Sequence, residues 1–177
     1  MPTEISGSTG VNKIQDNTIV NADINSSAAI AGSKLVMPTG SVLQVIRAEL
    51  TNGPAISTET NTDIGLQASI TPISTSSKIL AQWSPHVRTQ YATETGYGTR
   101  LLRGSTSVWD TASSFFIYNT HNRESNRSFY TYNYLDSPNT TSAIIYKIQI
   151  RSQNSRTLEI SDNGNQSTLI LMEIAGW

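Results

Sequence analysis

The chain has no cysteine, which excludes disulfides and thiolate metal sites together. Charge is scarce as well: Lys, Arg, Asp and Glu make up 14% of the 177 residues and nearly cancel, leaving a net charge of −1. The longest basic cluster is Arg100 with Arg103, so the concentrated positive surface that nucleic acid or anionic lipid requires is not expected. No apolar run approaches the roughly 18 residues of a membrane span. The opening MPTEISGSTG has neither a basic n-region nor an apolar core, so the expectation is synthesis in a cytosol without a secretory signal.

Chemistry-bearing motifs are missing too. The two histidines, His86 and His121, sit in neither HExxH nor any zinc spacing. There is no G-x-S-x-G elbow, no Walker loop and no G-x-G-x-x-G opening a helix. Gly96-Tyr97-Gly98 reads as a turn between strands, and a phosphate cradle would need a helix after it. Glu94, Asp110, Glu124, Asp136 and Glu159 are spread singly. The expectation is a protein that is not an enzyme and holds neither metal nor cofactor.

What is present is β-pattern. "GSVLQVIRAEL" (40–50) is β-branched and alternates locally, and "TDIGLQASITP" (62–72) puts Ile64, Leu66, Ala68 and Ile70 on one face. "SKILAQWSPHVRTQY" (77–91) carries Ile79, Ala81 and Trp83 on one side and is interrupted at Pro85. "GTRLLRGSTSVWD" (98–110) reads as a hairpin turning through Arg103-Gly104-Ser105-Thr106. "SSFFIYNTH" and "RSFYTYNYLD" are aromatic strands around a polar bend, with Tyr130, Tyr132 and Tyr134 on one face. In "SAIIYKIQIRS" (142–152), Ile144, Tyr146, Ile148 and Ile150 face in while Lys147, Gln149 and Arg151 face out. "RTLEIS" and "STLILMEIAGW" follow, separated by an Asp162-Asn163-Gly164-Asn165 turn. About eight to ten short strands without a helical period predict an all-β antiparallel sandwich of jelly-roll type.

Residues 1–38 differ from the 39–177 β-domain. Between Lys13 and Leu35 the large aliphatics are Ile14, Ile19, Ile24, Ile30 and Leu35, at gaps of five, five, six and five. Neither a helix face nor a strand has that period. So little apolar surface does not offset about 1–2 kcal/mol of backbone entropy per ordered residue. An extended arm that seats one aliphatic at a time in pockets of a larger partner fits the spacing, and such an arm implies an assembly.

The polar loop "NTHNRESNR" combines His121, Arg123 and Arg127 with amides, beside strands rich in aromatics. Flat rings with amide and guanidinium donors are what a saccharide site uses. His121, Arg123 and Arg127, with Tyr91 and Tyr97 from the 90–98 loop, are therefore the candidate receptor contacts. The closing segment has Leu169 and Leu171 on one side and Ile170, Met172 and Ile174 on the other, which predicts a homotrimer whose second face meets neighbours.

Several stretches, in order along the chain, resemble a family of tail-fibre, tailspike and related virion structural proteins of bacteriophages infecting cyanobacteria and marine bacteria. They are "TIVNADINSSAAIAGSKL", "GSVLQVI", "ASITPISTSSKILAQ", "RLLRGSTSV", "YLDSPNTTSAIIYKIQIRS" and "TLILMEIAG". The resemblance implies a virion component with no catalytic motif. The brevity of the chain, without shaft repeats, favours a short trimeric tail fibre or tailspike. Its arm would join the tail or an adaptor protein, and its β-domain would contact host surface polysaccharide. The alternative is a decoration or head-fibre protein bound to the major capsid protein. A polysaccharide-degrading spike would need the rung repeats of a β-helix, which are not visible.

Overall fold

A computed structural model of the chain describes residues 37–90, 95–111, 116–119 and 125–176, together with Ser27. The chain divides into two units, Met1–Val36 and Met37–Trp177. Apart from Ser27, an exposed turn residue, everything described belongs to the second unit. The arm positions Ile14, Ile19, Ile24, Ile30 and Leu35 lie outside the described residues.

The second unit runs through the strands β1 (Val42–Thr51), β2 (Ala55–Ile56) and β3 (Thr62–Ile70). β4 (Lys78–Ser84) and β5 (His86–Thr89) follow, split at Pro85 as the missing N–H of that proline requires. β6 (Thr95–Arg103) turns through Gly104 and Ser105 into β7 (Thr106–Asp110), and β8 (Phe116–Asn119) comes next. β9 (Asn126–Phe129), β10 (Tyr132–Asp136) and β11 (Ile144–Ser152) precede β12 (Leu158–Ile160). A 3-10 turn at Asp162–Gly164 then leads into β13 (Gln166–Ile174).

Every ladder is antiparallel. The first sheet has the order β1-β13-β4-β10, and the second β3-β11-β6-β7 with β8 also on β6. The third, β2-β12-β5-β9, extends the first: each of its strands adjoins in the chain the strand at the same place in that order. Taking β1 with β2, β4 with β5, β7 with β8, β9 with β10 and β12 with β13 as single runs leaves eight runs, ordered 1-8-3-6 and 2-7-4-5. That order arises when one long antiparallel hairpin, pairing run 1 with 8, 2 with 7, 3 with 6 and 4 with 5, wraps around a common core. The fold is a jelly roll.

The alternations read in the sequence line that core. Ile64, Leu66, Ala68 and Ile70 are buried, as are Ile79, Ala81 and Trp83, Tyr146, Ile148 and Ile150, and Leu169 and Leu171. Each large aliphatic so placed contributes about 1.5–3 kcal/mol. The Trp83 indole N–H donates to Thr99 Oγ1 at 3.3 Å. Its ring meets the edge of Trp109 at 5.1 Å and stacks on Tyr132 at 5.5 Å. Trp109 and Tyr132 belong to the last strands of the two sheets and lie 5.5 Å apart, so this aromatic trio closes the sandwich along that edge.

Four readings need correction. Gly96-Tyr97-Gly98 is not a turn but the beginning of β6. Tyr130 falls between β9 and β10, so it does not share a strand with Tyr132 and Tyr134. Ile144 is only partly buried, although it packs against the core. Arg151 stays on the outer side of β11 but out of water, with a side chain only 11% exposed. Its guanidinium crosses Gly98, its cross-strand neighbour, toward Asp110 at 3.6 Å. A Cβ at Gly98 would come within 2.9 Å of that guanidinium, so the glycine makes the room.

One buried carboxylate organises a loop. Glu173 shares the inward face of β13 with Leu169 and Leu171 and is fully buried. It accepts the Ile73 backbone N–H at 2.7 Å and the Gln44 side-chain amide at 2.5 Å. Burial opposes its ionisation, but these donors outweigh it and hold the carboxyl below its ordinary range. Glu173 thereby ties the segment between β3 and β4 to the closing strand.

Candidate functional site

The sheet β2-β12-β5-β9 lies beyond the Pro85 break, and its inward positions are Ile56, Val87, Leu158 and Ile160. Strand alternation therefore turns His86, Arg88, Arg127, Phe129 and Glu159 to the outer side. The register brings them together: Arg88 pairs with Glu159 on one flank and Arg127 on the other, and His86 pairs with Phe129. Asp162 reaches the same surface from the 3-10 turn.

These groups form a closed set of charges. Arg88 donates to Glu159 at 2.6 Å and lies 3.5 Å from Asp162. Arg127 donates to Asp162 Oδ2 at 3.0 Å, and Gln90 donates to Glu159 at 2.5 Å. Two guanidiniums and two carboxylates neutralise one another, so the surface offers hydrogen bonding without net charge. Phe129, 57% exposed, covers His86 with ring centroids 4.6 Å apart.

The turn is anchored beneath this surface. Ser161 and Asn163 both adopt left-handed backbone at φ 53°, a conformation that costs free energy unless the surroundings hold it. Ser161 is held by its N–H donating to the His86 carbonyl at 3.0 Å, and by its hydroxyl in contact with that of Ser167 at 2.7 Å. The His86 backbone N–H donates to Ser167 Oγ at 2.9 Å. Burial lowers the pKa of the His86 ring; Asp162 opposes that shift and Arg127 adds to it. The imidazole is therefore neutral at pH 7, with Nδ1 3.4 Å from Asp162 Oδ1. Among the described residues, both ring nitrogens, Arg88 Nε and Asp162 Oδ1 are buried without a hydrogen-bond partner. Each such group costs about 1–3 kcal/mol, and half of the unpartnered buried side-chain atoms among the described residues lie here.

Of the candidate receptor contacts, Arg127 stands on this surface with its side chain 42% exposed. Tyr97 is a correction: it has no exposed surface, and its hydroxyl meets that of Tyr132 at 3.2 Å inside the sandwich. Burial pushes the Tyr97 phenol up to about 12. A side chain so placed cannot stack on a receptor. His121, Arg123 and Tyr91 lie outside the described residues. Arg88, Phe129, Glu159 and Asp162 are the residues that sequence reasoning missed.

An exposed ring beside amide, guanidinium and carboxylate groups matches the stacking faces and hydroxyls of a saccharide. Asp110, Asp136 and Glu159 are each engaged by an arginine. A shallow depression of about 430 Å³, lined in part by Arg103, Pro138, Thr140 and Ile145, lies by the β6–β7 turn. Its Arg103 is committed to Asp136 at 3.0 Å, and Asp136 also accepts the Tyr146 hydroxyl at 2.6 Å. Among the described residues no group of three His, Cys, Asp or Glu could hold a metal ion, and no helix is long and apolar enough to cross a membrane.

No protein-family model matches the chain, and no curated protein matches it. Solved structures with a similar course of chain include the VP2 subviral particle of infectious bursal disease virus, at 13% identity and TM-score 0.47. That match covers 84% of this chain and 37% of the other. The T13 viral particle of the same virus matches at 14% identity and TM-score 0.46, covering 84% of this chain and 40% of the other. The chain thus spans about two fifths of the length of these shell proteins. At such scores the likeness decides neither fold nor role, and the jelly-roll assignment rests on strand order alone.

Proposed function

We propose that the chain is a structural protein of a bacteriophage particle, a short homotrimeric tail fibre or tailspike. Residues 1–38 attach it to a tail or adaptor protein, and residues 39–177 present the jelly roll to the host surface. It works by adhesion, not by catalysis, and its ligand is host surface polysaccharide.

The observation that carries this reading is where the virion-protein-like stretches fall. "GSVLQVI" enters β1, "ASITPISTSSKILAQ" joins β3 to β4, and "RLLRGSTSV" is the β6–β7 hairpin. "YLDSPNTTSAIIYKIQIRS" joins β10 to β11, and "TLILMEIAG" lies in and just past β13. They are the framework of the two large sheets. Every strand of the β2-β12-β5-β9 sheet falls outside them. In this reading the stretches that resemble virion proteins supply the scaffold, and the β2-β12-β5-β9 end, with exposed Phe129 and its paired charges, supplies the contact surface.

Antibody raised against residues 39–177 should label purified particles in electron micrographs and block their adsorption to host cells. Particles that carry no label would overturn the proposal.

A further inference from the structure

The outer faces of the two large sheets differ sharply. On the β3-β11-β6-β7 sheet most outward residues are polar and tied to one another, although Ile145 stands 43% exposed on β11. Gln149 donates to Asp63 at 2.7 Å, Lys147 lies 3.6 Å from Asp63, and Arg100 lies 2.6 Å from Asp110. That face carries no apolar row across its strands. On the β1-β13-β4-β10 sheet the core takes Ile46, Ala48, Ile79, Ala81, Leu169 and Leu171, and the residues between them point outward. The register aligns Val45 with Met172, Met172 with Leu80, and Leu80 with Leu135. One apolar row therefore crosses all four strands. Ile170 and Ile174 flank it on β13. Its two ends are the most open, with Val45 55% and Leu135 46% exposed.

We propose that this face is the subunit interface of the trimer, buried against two further copies of the same chain around a threefold axis. The inference rests on the trimeric reading above and assigns it a surface. Charge permits like faces to meet: the outward charges are Arg47 and Glu49, which pair with each other, and Lys78, which donates to Ser137 at 3.0 Å. The dimensions also agree. Four strands at about 4.8 Å make a face roughly 19 Å wide, and three such faces closed into a triangular prism stand roughly 5.5 Å from the axis. That is close to half of the about 10 Å that separates packed sheets, so the three rows fill the axis without a void. Seven residues of β13 and β4 in register make the face roughly 24 Å long, or roughly 450 Å² of flat projection per copy, with accessible area larger. Each face is shared between two neighbours, and the three faces together bury roughly 1,350 Å² of flat projection, which only the assembly taken as a whole brings to the size of a stable interface. In this geometry the Val45 edge of one copy meets the Leu135 edge of the next, covering the two most open positions of the row.

The test is sedimentation equilibrium of the full chain at micromolar concentration, for the unaltered protein, Val45→Lys and Leu135→Lys. Both positions are open in the single copy, so circular dichroism should be unchanged, and the opposite edges give two independent variants. The expected result is a trimer that either variant converts to monomer, with self-affinity reduced about a hundredfold or more. A trimer that survives both substitutions would overturn the interface and leave the adhesion reading standing. An unaltered chain that is monomeric or dimeric would overturn the threefold arrangement itself.

Discussion

Glu173→Gln isolates one buried group with a defined job. The wild-type carboxylate accepts the Ile73 N–H at 2.7 Å and the Gln44 amide at 2.5 Å, and hydrogen bonds to a charged group contribute about 1.5–3 kcal/mol each. Glutamine keeps the shape and one acceptor for Ile73, but it sets its own NH2 against that of Gln44. The expected loss is about 2–3 kcal/mol at pH 7, or about 6–10 °C in Tm for a domain of this size. The pH dependence gives a second reading. Because the folded carboxyl titrates below its ordinary value of 4.5, its stabilisation is complete above that value and disappears as pH falls through the folded pKa. Thermal unfolding followed by circular dichroism should therefore show the gap between wild type and variant widest near neutral pH and closing in acid, below the ordinary carboxylate value. A gap below about 0.5 kcal/mol at pH 7, or one that does not narrow in acid, would refute the role given to Glu173.

Three further predictions concern the other end of the molecule and the arm. Deleting residues 1–36 should leave a soluble β-domain that no longer joins the particle; normal incorporation of the truncated chain would remove the anchoring role. Arg127→Ala, alone or with His121→Ala and Arg123→Ala, should reduce adsorption to host cells. Its Tm should change little, because a partly exposed ion pair contributes only about 0–1 kcal/mol; full adsorption would remove receptor contact from this surface. His86 is held neutral by burial, so its contribution is complete above its ordinary value of 6.5 and is lost as pH falls below it. Amide protection factors in β5, β9 and β12 should fall in mild acid, and His86→Leu should flatten that fall if the ring is its source.

The framework was legible because each long strand declares its faces locally. Ile64 to Ile70 alternate without a break, Pro85 interrupts its strand, and the inward side of β13 is visible in Leu169 and Leu171. The eight-run order was not legible in detail, since it depends on pairings such as β1 with β13, whose residues are far apart in the chain. The candidate surface was hidden for the same reason. Arg88 and Glu159 are 71 residues apart, and nothing near either one announces the other. Arg127 was found because it sits in a conspicuously polar stretch. Asp162 was read only as a turn residue, and its second task needs β5 and β9 beside it. Tyr97 misled because glycines on both sides imitate a turn; in β6, Gly98 instead makes room for the Arg151 side chain.

The central claim is that this chain is a particle component whose jelly roll is displayed in threes. An electron cryomicroscopy map of the intact particle addresses it directly. The account predicts three copies of residues 37–177 packed by their β1-β13-β4-β10 faces around the axis of a short tail appendage, with the β2-β12-β5-β9 ends turned outward. A map whose tail appendages contain no density for this domain would contradict it.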